Sequence, residues 1–138
     1  MSFKIDAELE SKLLGNARNI SRQAGALLFN QGDAVTGIFI LNKGQARLTL
    51  RSADGKVHLE EIVGRGGLLG LPAAISGTPY SLTAEVLSDA ELAFLSREEL
   101  VRLMQSDTAL SLKLVELLSQ EVRAMRDVIA RPPASMIN

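Results

Sequence analysis

The sequence predicts a mainly β domain with flanking helices, a roll, sandwich or barrel of six to eight short strands, and three observations predict it. From Ile20 to Leu95 short apolar runs are separated by turn residues. Near Ser96 the hydrophobic period switches from two to about 3.6. The 138 residues, 46% of them apolar, suit one domain with a continuous core.

Taken in order, Asp6 is placed to cap a short helix that carries Leu9, Leu13 and Leu14 on one face and stops at Gly15. The expected strands then follow as Ala26–Phe29, Ile38–Leu41, Ala46–Arg51, Val57–Val63, Ser81–Leu87 and Glu91–Leu95. Alternation is clearest where Ala46, Leu48 and Leu50 are set against Arg47, Thr49 and Arg51, which puts one side in a core and the other in water. Asn42-Lys43-Gly44 and Asp54-Gly55 supply the turn chemistry between strands, and Gln31-Gly32-Asp33 separates two more. The roll is expected over residues 17–96 and the C-terminal helices over 97–130, in one unit of 1–131 with a tail of 132–138.

Ser96 and Glu99 form an S-x-x-E capping box ahead of Leu100, Leu103 and Met104, the buried face of a first C-terminal helix. A second begins at Asp107. In it Val115, Leu118, Val122, Met125 and Ile129 make a seam at alternating spacings of three and four, while Leu110, Leu114 and Leu117 lie on an adjoining face. Two apolar stripes need two partners: one stripe covers the β domain, and the seam is expected to meet a second copy of the chain in a homodimer. Arg131-Pro132-Pro133 ends the helix.

Several function classes are disfavoured by composition. Fifteen basic and sixteen acidic side chains leave a net charge of −1, which argues against electrostatic capture of nucleic acid or an anionic membrane. Without cysteine there is no disulfide, zinc-thiolate site, thiol nucleophile or iron–sulfur cluster. The lone histidine, His58, has no serine or aspartate at nucleophile-elbow spacing, and Glu60 shares its strand face while Glu61 does not, so no catalytic residue, metal site or cofactor is predicted. The start MSFKIDAELESKLLG is charged where a secretory signal is apolar, and no window approaches the ~20 apolar residues of a membrane span, so a cytoplasmic protein is expected.

The stretch Gly64–Val86, GRGGLLGLPAAISGTPYSLTAEV, stands out as a ligand cradle. Its glycines reach positive φ and let another group approach the backbone, and Leu71–Ser76 is a short apolar helix with Gly77 at its left-handed stop.

With Gly25-Ala26-Leu27-Leu28-Phe29-Asn30-Gln31-Gly32-Asp33, Ile38-Phe39-Ile40-Leu41 and Gly44-Gln45-Ala46-Arg47-Leu48 in this order, the chain resembles the cyclic-nucleotide-binding domain of catabolite-activator-like (Crp/Fnr-type) regulators over residues 6–130. The resemblance implies a double-stranded β-helix, a jelly-roll-like β-roll with a short N-terminal helix and a long C-terminal dimerisation helix. It also implies that residues 66–83 correspond to the phosphate-binding cassette. The family's ribose-binding glutamate falls at Leu71 and its phosphate-binding arginine at Tyr80, so both charged partners are missing, while Gly70 and Ser81 remain. Purine-contacting positions of the long helix fall near Met125 and Arg126. The implied pocket is a degenerate, mainly apolar cassette made of Gly66, Leu68, Leu69, Gly70, Leu71, Pro72, Tyr80, Ser81, Leu82 and Met125. On this reading Tyr80 fills the emptied volume with its ring against Leu71, and restoring the pair by Leu71→Glu with Tyr80→Arg restores nucleotide binding.

A phosphodiester buried without its arginine loses a charge-assisted contact and stays underpaired, at a cost of several kcal/mol. The expected function is therefore a non-catalytic sensory domain that does not bind cyclic AMP or cyclic GMP in the usual way and takes a small apolar or weakly polar ligand. Two rival readings are a cyclic nucleotide receptor that uses Arg65 or Arg47, and a ligand-free dimerisation scaffold. The helix-turn-helix that follows the long helix in such regulators is not expected after Pro133, so no nucleic-acid contact is expected through this chain.

Overall fold

A computed structural model describes residues 3–130, with side chains from Phe3 to Arg123. Strand β1 (Phe3–Lys4) leads into helix α1 (Ala7–Leu14), then β2 (Arg18–Arg22), β3 (Leu27–Phe29), β4 (Gly37–Lys43), β5 (Ala46–Arg51), β6 (Val57–Val63) and β7 (Gly67–Leu69). Helix α2 (Leu71–Ser76) separates these from β8 (Thr83–Val86) and β9 (Ala90–Ser96), and α3 (Arg97–Ser106) and α4 (Thr108–Ala130) close the fold. The strands form a five-stranded sheet, β1-β7-β4-β9-β2, and a four-stranded sheet, β3-β8-β5-β6, with antiparallel pairing. The mainly β architecture expected from the sequence is the one observed.

Two apolar layers hold it together. Between the sheets lie Phe29, Phe39, Leu41, Leu48, Leu69, Val86 and Leu92. On the far side of the five-stranded sheet the helices cover Ile38, Ile40, Leu68, Ala93 and Leu95 with Leu9, Leu13, Leu71, Leu100, Leu110 and Leu114. Strand β4 is buried on both faces, which is why Ile38-Phe39-Ile40-Leu41 is an unbroken apolar run rather than an alternating one.

Three strands escaped the sequence reading. β2 is almost wholly exposed and pairs along one side only, with β9, so its sequence Arg-Asn-Ile-Ser-Arg carries no burial pattern. β1 and β7 have two and three residues, too few for a period to show.

The seam on α4 divides differently from expectation. Leu110 and Leu114 are fully buried on the domain, and both Leu117 and Leu118 pack against the same core. Leu118 thus belongs to the inward face and not to a free seam. Val115 and Val122 are 54% and 47% exposed, and Leu112 joins them at 59%. The side chains of Met125 and Ile129 lie outside the described residues.

Helices α1 and α4 are joined by a reciprocal exchange. Asp6 caps α1, accepting from the Leu9 amide at 2.8 Å, and its other oxygen takes Lys113 Nζ of α4 at 3.0 Å. Asp107 caps α4, accepting from the Leu110 amide at 3.0 Å, and its other oxygen lies 3.1 Å from Lys12 Nζ of α1. Each carboxyl is held below its ordinary pKa, first by the capped amide and then by the lysine, and Lys113 is raised by Asp6.

Candidate functional site: an apolar cavity under the glycine loop

The site is built on α2 and the segment that follows it. Gly70 precedes α2 in the left-handed region, φ 87°, and a Cβ there would stand 2.9 Å from Tyr80 Cε1 and 3.2 Å from the Gly37 carbonyl oxygen. Glycine is thus required twice over, by dihedral angle and by space. Gly77, φ 70°, ends α2 by donating to the Ala73 carbonyl at 2.8 Å, and Arg97 Nε donates to the Ala74 carbonyl at 2.9 Å. The last carbonyls of so short a helix are therefore met by its glycine cap and by the first side chain of α3.

Tyr80 anchors the arrangement. Its ring, 3% exposed, stacks on Phe29 with centroids 3.9 Å apart and planes 10° from parallel. Its hydroxyl donates to the Gly37 carbonyl at 2.7 Å and accepts from the amides of Thr36 and Gly37, each at 3.2 Å. The Tyr80 amide donates to the Asp33 carbonyl and its carbonyl accepts from Gly32. Every polar group of Tyr80 is therefore committed to the loop before β4 and to the turn after β3. The ring meets Phe29, not Leu71 as expected, because Leu71 points into the other apolar layer.

Beside this anchor lies a cavity of about 250 Å³ lined by Phe3, Phe29, Leu48, Leu50, Leu59, Gly70, Pro72, Ala73, Tyr80, Ser81, Leu82 and Glu121. Of the expected pocket residues the structure brings Gly70, Pro72, Tyr80, Ser81 and Leu82 to it. Leu68, Leu69 and Leu71 are instead core residues, 0%, 1% and 0% exposed, and do not line the cavity. Gly66 sits in the turn before β7, where its amide donates to the Leu41 carbonyl. The Met125 side chain lies outside the described residues. In the three-residue strand β7, Leu68 faces the helix-covered layer, away from the cavity, while Leu69 is buried in the layer between the sheets without lining it.

Sequence reasoning missed Leu48 and Leu50 as lining residues, although their alternation with Arg47, Thr49 and Arg51 marked the inward face of β5. It also missed Glu121. The signal was there: Leu110, Leu114, Leu117 and Glu121 follow one another at spacings of four, three and four, so an acid continues the buried stripe of α4 where a leucine would fit.

Charge at the cavity is one-sided. Among the described lining residues Glu121 alone carries a formal charge, and no cation lines the space. Arg47 is on the outer face of β5, with Nε 3.2 Å from Glu60 Oε1 in an ion pair without hydrogen-bond geometry. Arg65 is exposed in the loop before β7. His58 is exposed on β6, and among the described residues no three metal-ligating side chains come together.

A roll of two antiparallel sheets, a glycine-flanked short helix inserted before β8, and a long closing helix together define the architecture. Residues 20–107 match the family described as the cyclic nucleotide-binding domain, and the chain belongs to that family. The structure is similar to the Thermus thermophilus catabolite activator protein, with a TM-score of 0.81 and 22% identity, covering 91% of this chain and 59% of that one. It is similar also to the sensor domain of the transcriptional regulator DNR from Pseudomonas aeruginosa, with a TM-score of 0.70 and 22% identity over 92% of this chain and 85% of that one. In sequence, 100 residues are 31% identical to the patatin-like phospholipase domain-containing protein 6 of Homo sapiens, covering 72% of this chain and 7% of that protein. Lysophospholipase nte1 of Aspergillus terreus (strain NIH 2624 / FGSC A1156) is 28% identical over 109 residues, covering 79% of this chain and 7% of that protein. The chain thus spans 7% of the length of these curated relatives. No described helix is long and apolar enough to cross a membrane.

Proposed function

We propose that this domain is a non-catalytic sensor whose cavity answers to a small apolar or weakly polar molecule rather than to cyclic AMP or cyclic GMP. The observation that carries the reading is the commitment of Tyr80. The position where the resemblance places a phosphate-binding arginine holds a buried ring stacked on Phe29, with its hydroxyl bonded to the backbone at residues 36 and 37. A cyclic phosphate keeps its negative charge on binding, and desolvating it in a cavity lined by apolar side chains and one carboxylate leaves that charge unpaired. Matching only a small share of much longer proteins named as phospholipases supports a regulatory rather than a catalytic role for this segment. Titration with cyclic AMP and cyclic GMP in a calorimeter is expected to give dissociation constants of about millimolar or weaker. Low-micromolar binding would overturn the proposal in favour of a true nucleotide receptor.

The second part of the proposal is a homodimer through the outer face of α4. Support comes from Val115 and Val122, which remain about half exposed on a helix whose other apolar stripe is already buried. Covering the exposed half of such side chains contributes on the order of 1 kcal/mol each. Val122→Glu is expected to give monomers in sedimentation at concentrations where the unmodified protein is dimeric. A dimeric Val122→Glu protein would place the interface elsewhere.

A further inference from the structure

The proposed sensor reading leaves open which kind of apolar molecule the cavity takes, and the inference drawn from the aromatic side chains rests on that reading. The chain has four phenylalanines, one tyrosine and no tryptophan. Four of those five rings form a continuous row in the layer between the sheets. Phe94 meets Phe39 with centroids 5.0 Å apart, Phe39 meets Phe29 at 5.9 Å, and Phe29 stacks on Tyr80 at 3.9 Å. The row ends at the cavity, whose described lining residues include Phe29 and Tyr80 but neither Phe39 nor Phe94. Phe3, the fifth ring, lines the same cavity from β1. A chain so poor in aromatic side chains thus commits three of its five to one cavity. The volume of about 250 Å³ exceeds the ~150 Å³ apolar cavity that admits benzene, so there is room for a ring with a short substituent.

We propose that the cavity takes a small aromatic molecule, whose ring becomes the next member of the row and is held against Phe29, Tyr80 and Phe3. Aromatic rings attract one another through their quadrupoles, negative on the face and positive at the edge, and prefer offset or edge-to-face contacts with centroids about 4.5–7 Å apart. Two of the three contacts inside the row, at 5.0 and 5.9 Å with planes tilted by 59° and 35°, lie in that range. A contact of this sort is worth about two- to twelvefold in affinity beyond the area it buries. A saturated ring of similar size fills the same space and gains none of it. Leu48, Leu50 and Leu59 complete the wall and carry no quadrupole, so the distinction between the two kinds of ring comes from the aromatic side. Tyr80 spends its hydroxyl on Gly37 and Thr36, and so meets the ligand as a ring.

The probes are 2-phenylethanol and 2-cyclohexylethanol, which share a carbon skeleton and a hydroxyl and differ only in the saturation of the ring. Their binding is read from the methyl resonances of Leu48, Leu50 and Leu59 in the full chain, and compared between the parent protein, Phe29→Leu and Phe3→Leu. The parent is expected to bind 2-phenylethanol at least as tightly as its analogue, although the saturated ring is the more hydrophobic. Each variant is expected to shift the ratio of the two dissociation constants against 2-phenylethanol by about threefold. Lost packing alone does not move that ratio, because both alcohols meet the same altered wall. Where Phe29→Leu, which also removes the stack on Tyr80, does not fold, Phe3→Leu decides. If the saturated alcohol binds the parent more tightly, or if neither variant moves the ratio, this inference falls and the cavity reading stands. If neither alcohol moves these resonances, the cavity reading falls and takes the inference with it.

Discussion

Truncating Tyr80 to alanine is expected to destabilise the domain by about 3–5 kcal/mol, the range for removing a large buried aromatic side chain. The ring is 3% exposed and stacked on Phe29, so its loss opens a void between the sheets. Tyr80→Phe separates the ring from the hydroxyl. It keeps the stack but leaves the amides of Thr36 and Gly37 and the Gly37 carbonyl without their shared partner, at about 1–3 kcal/mol for buried groups. Urea unfolding of both variants measures the two parts. A Tyr80→Ala protein as stable as the parent would mean that this side chain is a movable lining and not an anchor. Tyr80→Arg belongs to the same series: a guanidinium in this buried place meets the Phe29 ring and a backbone carbonyl where the tyrosine ring and hydroxyl now sit, and it too is expected to destabilise.

Leu71→Glu is expected to cost roughly 5 kcal/mol or more at pH 7. Leu71 is fully buried, and losing its burial accounts for about 1.5–3 kcal/mol. The new carboxyl must also be neutralised in an apolar layer, which from an ordinary pKa of about 4.3 costs about 3.7 kcal/mol at pH 7, at 1.36 kcal/mol per unit. A group whose pKa is raised by folding is best tolerated at low pH, and its burden grows as pH rises above the unfolded value. The penalty should therefore shrink by about 2.7 kcal/mol between pH 7 and pH 5, the equivalent of two pKa units. Denaturant unfolding at both pH values reads the difference. A small, pH-independent penalty would mean that position 71 opens to the cavity, as the comparison with a nucleotide cassette expects. On the geometry found here, pairing Leu71→Glu with Tyr80→Arg adds two buried charges in different apolar layers and does not rebuild a binding pair.

Features set by local chemistry were legible in the sequence. Asp6 and Ser96 cap their helices through the amides of Leu9 and Glu99, because a short polar side chain three residues before an amide has few other uses there. Gly44, φ 92°, ends its turn with the space of a Cβ occupied by the Asp89 carbonyl, 2.8 Å away. The outward face of β5 could be read from Arg47 and Arg51, whereas Thr49, expected in water beside them, is only 5% exposed. Features set by tertiary neighbours were not legible in the same way. Nothing local in Gly67-Leu68-Leu69-Gly70-Leu71 says which leucine faces which layer, since no polar residue breaks the run. Tyr80 could be recognised as a departure from a phosphate-binding pattern, yet its partners lie 43 and 44 residues earlier in the chain. The acid at Glu121 became informative only once the stripe of α4 had a cavity beside it.

The reciprocal exchange between Asp6, Lys113, Asp107 and Lys12 bears on how the chain folds as it is made. The cap on α1 gains its lysine 107 residues later, and the cap on α4 takes a lysine from the first helix. Strand pairing has the same reach, with Arg18 opposite Phe94 and Phe3 opposite Leu68. Residues 3–14 therefore have no place to settle until nearly the whole domain has followed them. At synthesis rates of roughly 5–20 residues per second that wait lasts several seconds, far longer than closing a loop takes. α1 and the first turn of α4 then form together, and their amides are expected to lose hydrogen-exchange protection together, as one cooperative unit assembled from the two ends of the described chain.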